Sequence, residues 1–408
     1  MFGLVQKKKT EQKPLIWTGA ESSLLGGKSS RSNKPGGVDP VIVGTTLFLL
    51  AFGALMVYSA TISFADSPKY NTEPYHFFIR QIIWICIGTL IGSFIYQIPM
   101  RVWMKLAPTL AFVSVAALFI VLIPGIGRSV NGARRWIALG PINFQVTEFV
   151  KFAILISAAA FTVKRQDYMH SVTKGLTPML IVMAVIAALI GVQPDLGATA
   201  VIIVIAMGVL FLGGLDGKIF TAVLILAFTI GISMIYYSPW RLERMISYWD
   251  VWGNAYGKGY QLSHSLIAFG RGEWFGVGLG ASIEKLHYLP EAHTDFIMAV
   301  IAEELGFVGV VVVTLAFYIF VRRAFAIGRQ SIKLDRVFSG LVAEGVGIWI
   351  GCQMIINLGV ATGFLPTKGL TLPFVSYGGS SLIATIAAVA LLLRVDRENR
   401  VLMRGGRV

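Results

Sequence analysis

The segment YLPEAHTD, residues 288–295, ends on an aspartate that directly precedes the apolar run FIMAVIA. A carboxylate at a membrane surface is partly desolvated, so its proton affinity rises and it can act as a general base on a hydroxyl group. Aspartate is also a common helix N-cap, because it accepts hydrogen bonds from free N–H groups. The two roles are compatible, and Asp295 is the first candidate for chemistry.

The same segment carries several metal-ligating side chains, namely His287, Glu291, His293 and Asp295. Their H-x3-E-x-H-x-D spacing is not an established zinc pattern, and Pro290 argues against a helix that would align them. The sequence therefore predicts no structural metal site. It leaves open a loosely held Mg²⁺ or Mn²⁺, which prefers few carboxylates plus substrate phosphates.

Cationic side chains recur on segments that the topology below places outside the membrane. Arginine and lysine bind phosphate-like anions, and positive charge is otherwise disfavoured on that side. The predicted anion site consists of Arg134, Arg135, Lys151, Arg241 and Arg244. Lys151 has a structural alternative, because Glu148 lies three residues earlier on the same helix face and can neutralise it.

Other signatures of enzymes are weak. Ser282 and Lys285 match S-x-x-K, but the sequence lacks the S-D-N and K-T-G companions of penicillin-binding enzymes. It also lacks a Walker loop, a G-x-S-x-G motif and a dinucleotide fingerprint. The turn at 193–197, QPDLG, is explained by its Pro and Gly, while Asp195 could equally contact substrate.

The composition predicts that a membrane protein carries these residues, since 55% of the 408 residues are hydrophobic and only 14% are charged. Apolar runs of spanning length must be helices, because lipid offers no partners to backbone groups. The fold class is thus an all-α polytopic membrane protein with about ten transmembrane helices. They are predicted at 41–61, 78–97, 106–124, 147–163, 177–192, 197–214, 219–237, 296–321, 338–361 and 372–393.

The distribution of basic residues sets the orientation. A cytoplasmic N-terminus puts 23 of the 35 Lys and Arg residues in the tails and the inward connections. The net charge of +14 is therefore mostly a topogenic signal, and nucleic-acid binding is not expected. We predict a disordered cytoplasmic tail at 1–40, a membrane domain at 41–394 and a cytoplasmic tail at 395–408.

One outward connection, residues 238–294 between helices 7 and 8, is far longer than usual. Connections of this length are uncommon unless they are functional. Its GRGEWFGVGLG stretch, residues 270–280, suits re-entrant backbone packed against protein or a bound anion. A flexible solvated loop is the alternative.

Seven strings, read in order, resemble the SEDS family of peptidoglycan glycosyltransferases. They are NGARRWIALG (131–140), QPDLGAT (193–199), GKGYQ (257–261), GVGLG (276–280), YLPEAHTDFI (288–297), AEELG (302–306) and NLGVATGFLPTKGLTLPFVSYGGSS (357–381). The last string, the HTDF motif and the long basic N-terminal tail are similar to the cell-division branch of the family rather than the elongation branch. Gln145-Val-Thr-Glu148 departs from the usual Gln-Pro-Ser-Glu but retains the acidic residue.

The resemblance implies an inner-membrane enzyme of the division septum that polymerises lipid II, with Asp295 as its catalytic base. Lys368 joins the cations expected to bind pyrophosphate. Supporting residues are expected at Asn131, Trp136, Glu148, Gln193, Asp195, Gln261, Glu291, His293, Thr294, Glu303, Ser376 and Ser380. Expected partners are a class B penicillin-binding transpeptidase and other membrane proteins of the divisome.

Two other functions compete with polymerisation. Ten spans and buried charges suit a flippase for lipid II, although charge is concentrated in outward connections and no inverted repeat with paired broken helices is visible. A scaffold that recruits the transpeptidase is the third hypothesis. Polymerisation by purified protein discriminates among them.

The lysine and arginine distribution predicts that both termini face the cytoplasm and that the 238–294 connection faces outward. Cysteines placed at loop positions should react with a membrane-impermeant reagent in that pattern. Labelling of the long connection only after the inner face is exposed would reject this topology.

Overall fold

The computed structural model describes residues 37–66, 73–130, 132–140, 142–169 and 171–407, so residues 1–36 of the predicted tail and Asn131 lie outside the described residues. The helices are α1 Pro40–Thr61, α2 His76–Gln97, α3 Met100–Leu122, α4 Val146–Lys164, α5 Thr177–Val192, α6 Leu196–Leu212, α7 Gly217–Tyr236, α8 Pro239–Trp249, α9 Tyr260–Gly272, α10 Ile297–Lys333, α11 Val337–Ala361 and α12 Gly379–Met403. The strands are β1 Gly127–Val130, β2 Ala133–Leu139 and β3 Ile142–Gln145.

The expected class, a helical polytopic membrane protein, is confirmed. Within the described residues, eight helices are long and apolar enough to cross a membrane: α1, α2, α3, α4, α7, α10, α11 and α12. The apolar helices α5 and α6 are shorter, so a total of ten crossings stays a prediction. Several boundaries differ from the prediction. Helix α12 begins at Gly379 rather than 372 and continues past 394 to Met403, α3 begins at Met100 rather than 106, and α10 continues to Lys333 rather than 321.

A small antiparallel sheet interrupts the helical pattern between α3 and α4. Strand β2 lies in the centre and pairs with both β1 and β3. Trp136 faces Arg128 on one side and Gln145 on the other. Because side chains alternate along a strand, Arg134 is exposed whereas the neighbouring Arg135 is half-buried. The sheet therefore sends only one of these two arginines toward the protein.

Helix α10 is broken at Gly306, whose φ of 66° lies in the left-handed region that glycine tolerates. The long connection repairs the break with its own backbone. Val277 and Gly278 donate to the carbonyls of residues 303 and 304, at 2.9 and 3.1 Å. In return, the N–H groups of residues 307 and 308 donate to the carbonyls of residues 273 and 274. The GRGEWFGVGLG stretch is thus packed against protein, as one of the two hypotheses expected.

Two buried carboxylates of α10 fasten the next part of the connection. Glu303 accepts hydrogen bonds from the Ser282 hydroxyl, from the N–H of Ile283 at 2.9 Å and from Arg271 at 2.8 Å. Glu304 binds Lys285 Nζ at 2.7 Å. The connection also contains α8 and α9, so it is a folded platform that leads into residues 288–295.

The interior is formed mainly by α4, α10, α11 and α12, which pack against one another and against α1, α2 and α6. Lys151 of α4 has no exposed surface in this core. Its Nζ lies 2.7 Å from Glu148 Oε1 and 5.5 Å from the centre of the Trp349 ring. The pairing anticipated from the three-residue spacing is therefore present, and the substrate contact proposed for Lys151 stays a prediction.

This buried pair predicts an asymmetry in stability. Lys151→Met leaves the Glu148 carboxylate buried without its partner, which should destabilise the protein by about 3–5 kcal/mol. The double variant Glu148→Gln, Lys151→Met removes both charges and should recover most of that loss. Thermal unfolding of the purified protein in detergent measures the difference. Equal stability of the single and double variants would show that the ion pair is not the relevant interaction.

Candidate active site

Asp295 belongs to a tight turn before α10. The N–H groups of residues 294, 295 and 296 all donate to the carbonyl of Glu291, at 3.1 to 3.2 Å. Helix α10 begins at Ile297 with Phe296 as its N-cap, and among the described residues no side chain caps it. The helix-cap role considered for Asp295 is therefore wrong. Its carboxylate is not used to begin the helix.

The carbonyls of this turn accept hydrogen bonds from α11 and from the connection between α11 and α12. The carbonyl of His293 accepts from the N–H of Tyr377 at 3.0 Å. That of Thr294 accepts from the Ser376 hydroxyl at 2.6 Å. That of Asp295 accepts from Asn357 Nδ2 at 2.9 Å. Three consecutive residues are thereby fixed by their main chain, which leaves the aspartate side chain to other contacts.

The Asp295 carboxylate lies directly against Gly369. A methyl group built on that glycine would approach Asp295 Oδ2 to 2.8 Å, which is closer than ordinary van der Waals contact. Gly369 follows Lys368 in the sequence. A methyl group at residue 369, next in sequence to the cation candidate Lys368, would therefore have to displace the Asp295 side chain.

Burial raises the pKa of Asp295 to about 7, and the nearby carboxylates of Glu291 and Asp195 act in the same direction. Arg244 and Arg135 oppose the increase. A carboxyl group that titrates near neutral pH is suited to accept a proton during a reaction, since a general base works best when its pKa is near the operating pH. The charges that tune it come from three separate segments of the chain.

Arg135 joins the sheet to the 193–195 turn. Its Nε and a terminal nitrogen donate to the carbonyls of Gln193 and Pro194, both at 3.0 Å, and another nitrogen lies 3.5 Å from Asp195 Oδ2. Asp195 in turn caps α6 by accepting from the N–H of Ala198. The Gln193 side chain is buried, and among the described residues neither of its polar atoms has a hydrogen-bond partner. These contacts fix the turn, and its Asp195 lies near enough to Asp295 to act on its pKa.

Helices α8 and α9 contribute a cationic part of the site. Arg244 donates to Gln261 Oε1 at 3.4 Å, and both line a cavity of about 300 Å³. Burial lowers the pKa of Lys368, and the positive charges of Arg244, Arg241 and Arg135 add to that effect. Lys368 is therefore near enough to the three arginines to be repelled by their charges. An anion placed among them would relieve that repulsion.

Several predicted residues lie elsewhere or have structural partners. Arg134 is exposed on the outer face of β2, and Trp136 is half-buried in the sheet. The Ser380 hydroxyl accepts from the N–H of Gln145 at 3.0 Å and so joins α12 to β3. Glu303 anchors the long connection, as described above. The sheet and these anchors support the site without facing Asp295.

The histidine and glutamate side chains considered as metal ligands do not converge. His293 lies among the rings of Phe64, Phe77 and Tyr377, with centroids 5.2 to 5.7 Å apart, and burial lowers its pKa. Glu291 Oε2 accepts from the Thr294 hydroxyl at 2.8 Å. Within the described part of the chain, no group of three or more His, Cys, Asp or Glu side chains is arranged to hold a metal ion.

Sequence reasoning missed Asn357 and Gly369 as individual residues. Both belong to the long string that carried the resemblance, at NLGVATG and PTKGL. An asparagine inside an apolar run was the available signal, because a polar side chain in a membrane helix is costly unless it has a structural or functional role. Their contacts with residue 295 could not be read from the sequence.

Known proteins resemble this chain over nearly its whole length. The family profile described as cell cycle protein, covering FtsW, RodA and SpoVE, matches residues 40–401. A protein of Polynucleobacter necessarius subsp. necessarius (strain STIR1), named "Probable peptidoglycan glycosyltransferase FtsW", is 53% identical over 394 residues, 96% of this chain and 93% of its own. A protein of Burkholderia thailandensis with the same name is 52% identical, over 96% and 85%.

Solved structures also resemble this chain. A chain described under "Structural coordination of polymerization and crosslinking by a peptidoglycan synthase complex" has a TM-score of 0.72 at 29% identity, covering 89% of this chain and 98% of that one. Rod shape determining protein RodA of Thermus thermophilus has a TM-score of 0.65 at 28% identity, over 89% and 97%. The chain therefore belongs to the FtsW, RodA and SpoVE family of cell cycle proteins, the SEDS family whose motifs its sequence contains.

Proposed function

We propose that this chain is a peptidoglycan glycosyltransferase that polymerises lipid II into glycan strands for the division septum. The relatives named above carry the glycosyltransferase name. The observation that carries the proposal is a half-buried carboxylate, Asp295, near four cations from three segments: Arg135 of β2, Arg241 and Arg244 of α8, and Lys368. Such a site combines a proton acceptor with a binding place for a dianionic leaving group.

In the reaction, Asp295 takes the proton from a sugar hydroxyl of the acceptor. The oxygen attacks the anomeric carbon of the donor as the bond from that carbon to the pyrophosphate oxygen breaks. The pyrophosphate leaves as an anion and needs no proton, so a second carboxylic acid of the kind that glycoside hydrolases use is unnecessary. A single displacement inverts the configuration at the anomeric carbon.

The cations stabilise the charge that grows on the leaving pyrophosphate. Arg135 and Arg244 are held by hydrogen bonds to the protein before substrate arrives, so their orientation costs little during the reaction, and Lys368 adds its charge to theirs. Arg241 adds positive charge to the same region, with its guanidinium donating to the carbonyl of Met234 at 3.3 Å. A divalent cation bound by substrate phosphates is compatible with this arrangement, and its ligands would be mostly substrate oxygens and water.

Placement in the cell follows from the predicted topology. The chain is a multi-pass protein of the inner membrane, both termini are cytoplasmic, and the 238–294 connection and Asp295 face the periplasm. The site therefore meets lipid II after its sugar has crossed the membrane. A class B penicillin-binding transpeptidase and other divisome proteins are the proposed partners, supported by the similarity to a chain of a peptidoglycan synthase complex.

Replacing the base tests the mechanism. Asp295→Asn keeps the size of the side chain but cannot accept a proton, so it should lower polymerisation by purified protein to background. Asp295→Ala also lacks a proton acceptor and should be equally inactive. It should still fold, because α10 does not use this side chain as a cap. The measurement is glycan-strand formation from purified lipid II, with and without the cognate transpeptidase. The matched control is Asp250→Asn in the same connection, where the amide oxygen can still accept from Gly253.

The pH dependence of the rate in the same assay gives a further test. Because the pKa of Asp295 is raised to about 7, the wild-type rate should increase with pH through that value as the carboxyl group loses its proton. Strand formation by Asp295→Asn at near the wild-type rate would contradict the general-base role. So would a wild-type rate that shows no such increase between roughly pH 5.5 and 8.5.

The contact between residues 295 and 369 provides a second test. In Gly369→Ala the new methyl group would displace the Asp295 carboxylate, and a shift of about 1 Å can reduce a catalytic rate by about a hundredfold. We expect a large fall in kcat with normal accumulation in the membrane. Gly270→Ala is the control, because a methyl group there meets no atom within 4 Å. Wild-type kcat for Gly369→Ala would show that this contact does not position the base.

A further inference from the structure

A single side-chain amide joins the two segments that carry the opposite charges of the site. Asn357 lies near the end of α11 and is 1% exposed. Its Nδ2 donates to the carbonyl of Asp295 at 2.9 Å and to the carbonyl of Leu370 at 2.7 Å. These two acceptors are far apart in sequence, so the amide holds together backbone that would otherwise be independent.

The two carbonyls belong to residues that determine the geometry of the site. One is on Asp295 itself. The other follows Lys368 by two residues and is adjacent to Gly369, which touches the Asp295 carboxylate. The amide therefore sets how far the base lies from the segment that carries Lys368.

Neighbouring hydrogen bonds do not replace this one. Tyr377 and Ser376 hold the carbonyls of His293 and Thr294, which precede the base. The carbonyl of Asp295 is held by Asn357. A planar NH₂ group carries two N–H donors that diverge, so one asparagine can satisfy two carbonyls at once, whereas a hydroxyl can satisfy only one.

We propose that Asn357 is a positioning residue for catalysis, whose two donated hydrogen bonds fix Asp295 relative to the Lys368 segment. It contacts no reacting atom and acts through the main chain of the base. The inference rests on the proposed glycosyltransferase function and adds a residue from α11 to it.

The test replaces the amide by an apolar group of similar size, Asn357→Leu, in the full-length purified protein. With lipid II as substrate, kcat should fall by about ten- to a hundredfold, with a smaller change in KM, because small displacements affect the transition state most. Asn357→Ser retains one donor and should lie between Asn357→Leu and wild type. If the Leu variant does not accumulate, the Ser variant is judged by the same criteria.

The pH profile separates positioning from a loss of folded protein. Release of the main chain lets water reach the Asp295 carboxylate, which weakens the burial that raises its pKa. The charges that face it are Glu291 on its own segment, Asp195 before α6, Arg135 on β2 and Arg244 on α8. Each of these acts less on a carboxylate surrounded by water. The midpoint of the rate increase should therefore move to lower pH.

The control is Asn399→Leu, which removes another buried asparagine amide at the far end of the bundle, where Asn399 Nδ2 donates to the carbonyl of Ile327 at 3.2 Å. It should keep the wild-type kcat and pH midpoint per folded molecule. An Asn357 variant with an unchanged pH midpoint, whatever its kcat, overturns the positioning role. An inactive wild type would instead overturn the proposed function itself, and an active Asp295→Asn would overturn the general-base role on which this inference rests.

Discussion

The main-chain hydrogen bonds of residues 291–296 are the constraint on which the rest of the site depends. Three N–H groups converge on the carbonyl of Glu291, and three carbonyls are held by Asn357 of α11 and by Ser376 and Tyr377 of the connection that follows it. Since these contacts are made by the main chain, the Asp295 side chain is not needed to cap the helix. The half-buried carboxylate can therefore keep a raised pKa of about 7.

Burial disfavours the charged forms of both the acidic and the basic side chains of the site. Burial favours the neutral form of Asp295, and it lowers the pKa values of Arg244 and Lys368 in the same space. In the proposed mechanism, a bound pyrophosphate would place negative charge among these cations, and the same charges would act on the base. The folded connection holds two of those cations in place, since α8 belongs to it.

Hydropathy was sufficient to locate the apolar helices, and residue type and the predicted topology suggested Asp295 and most of the cations near it, whose roles stay predictions. The pairing of Lys151 with Glu148 was also accessible, because it depends on local helical spacing. The three strands were not predicted, although Asn131-Gly132 is a strong hairpin signal, because they are only four to seven residues long. The role of Asn357 could not be predicted, since its partner Asp295 lies 62 residues away.

The break in α10 has a mechanical consequence. Residues 273–278 supply two donors and two acceptors to the interrupted helix, so lifting that stretch would leave four backbone groups without partners. The stretch can therefore move only together with α10 or by breaking these four hydrogen bonds, which couples the motion of the connection to that of the helix.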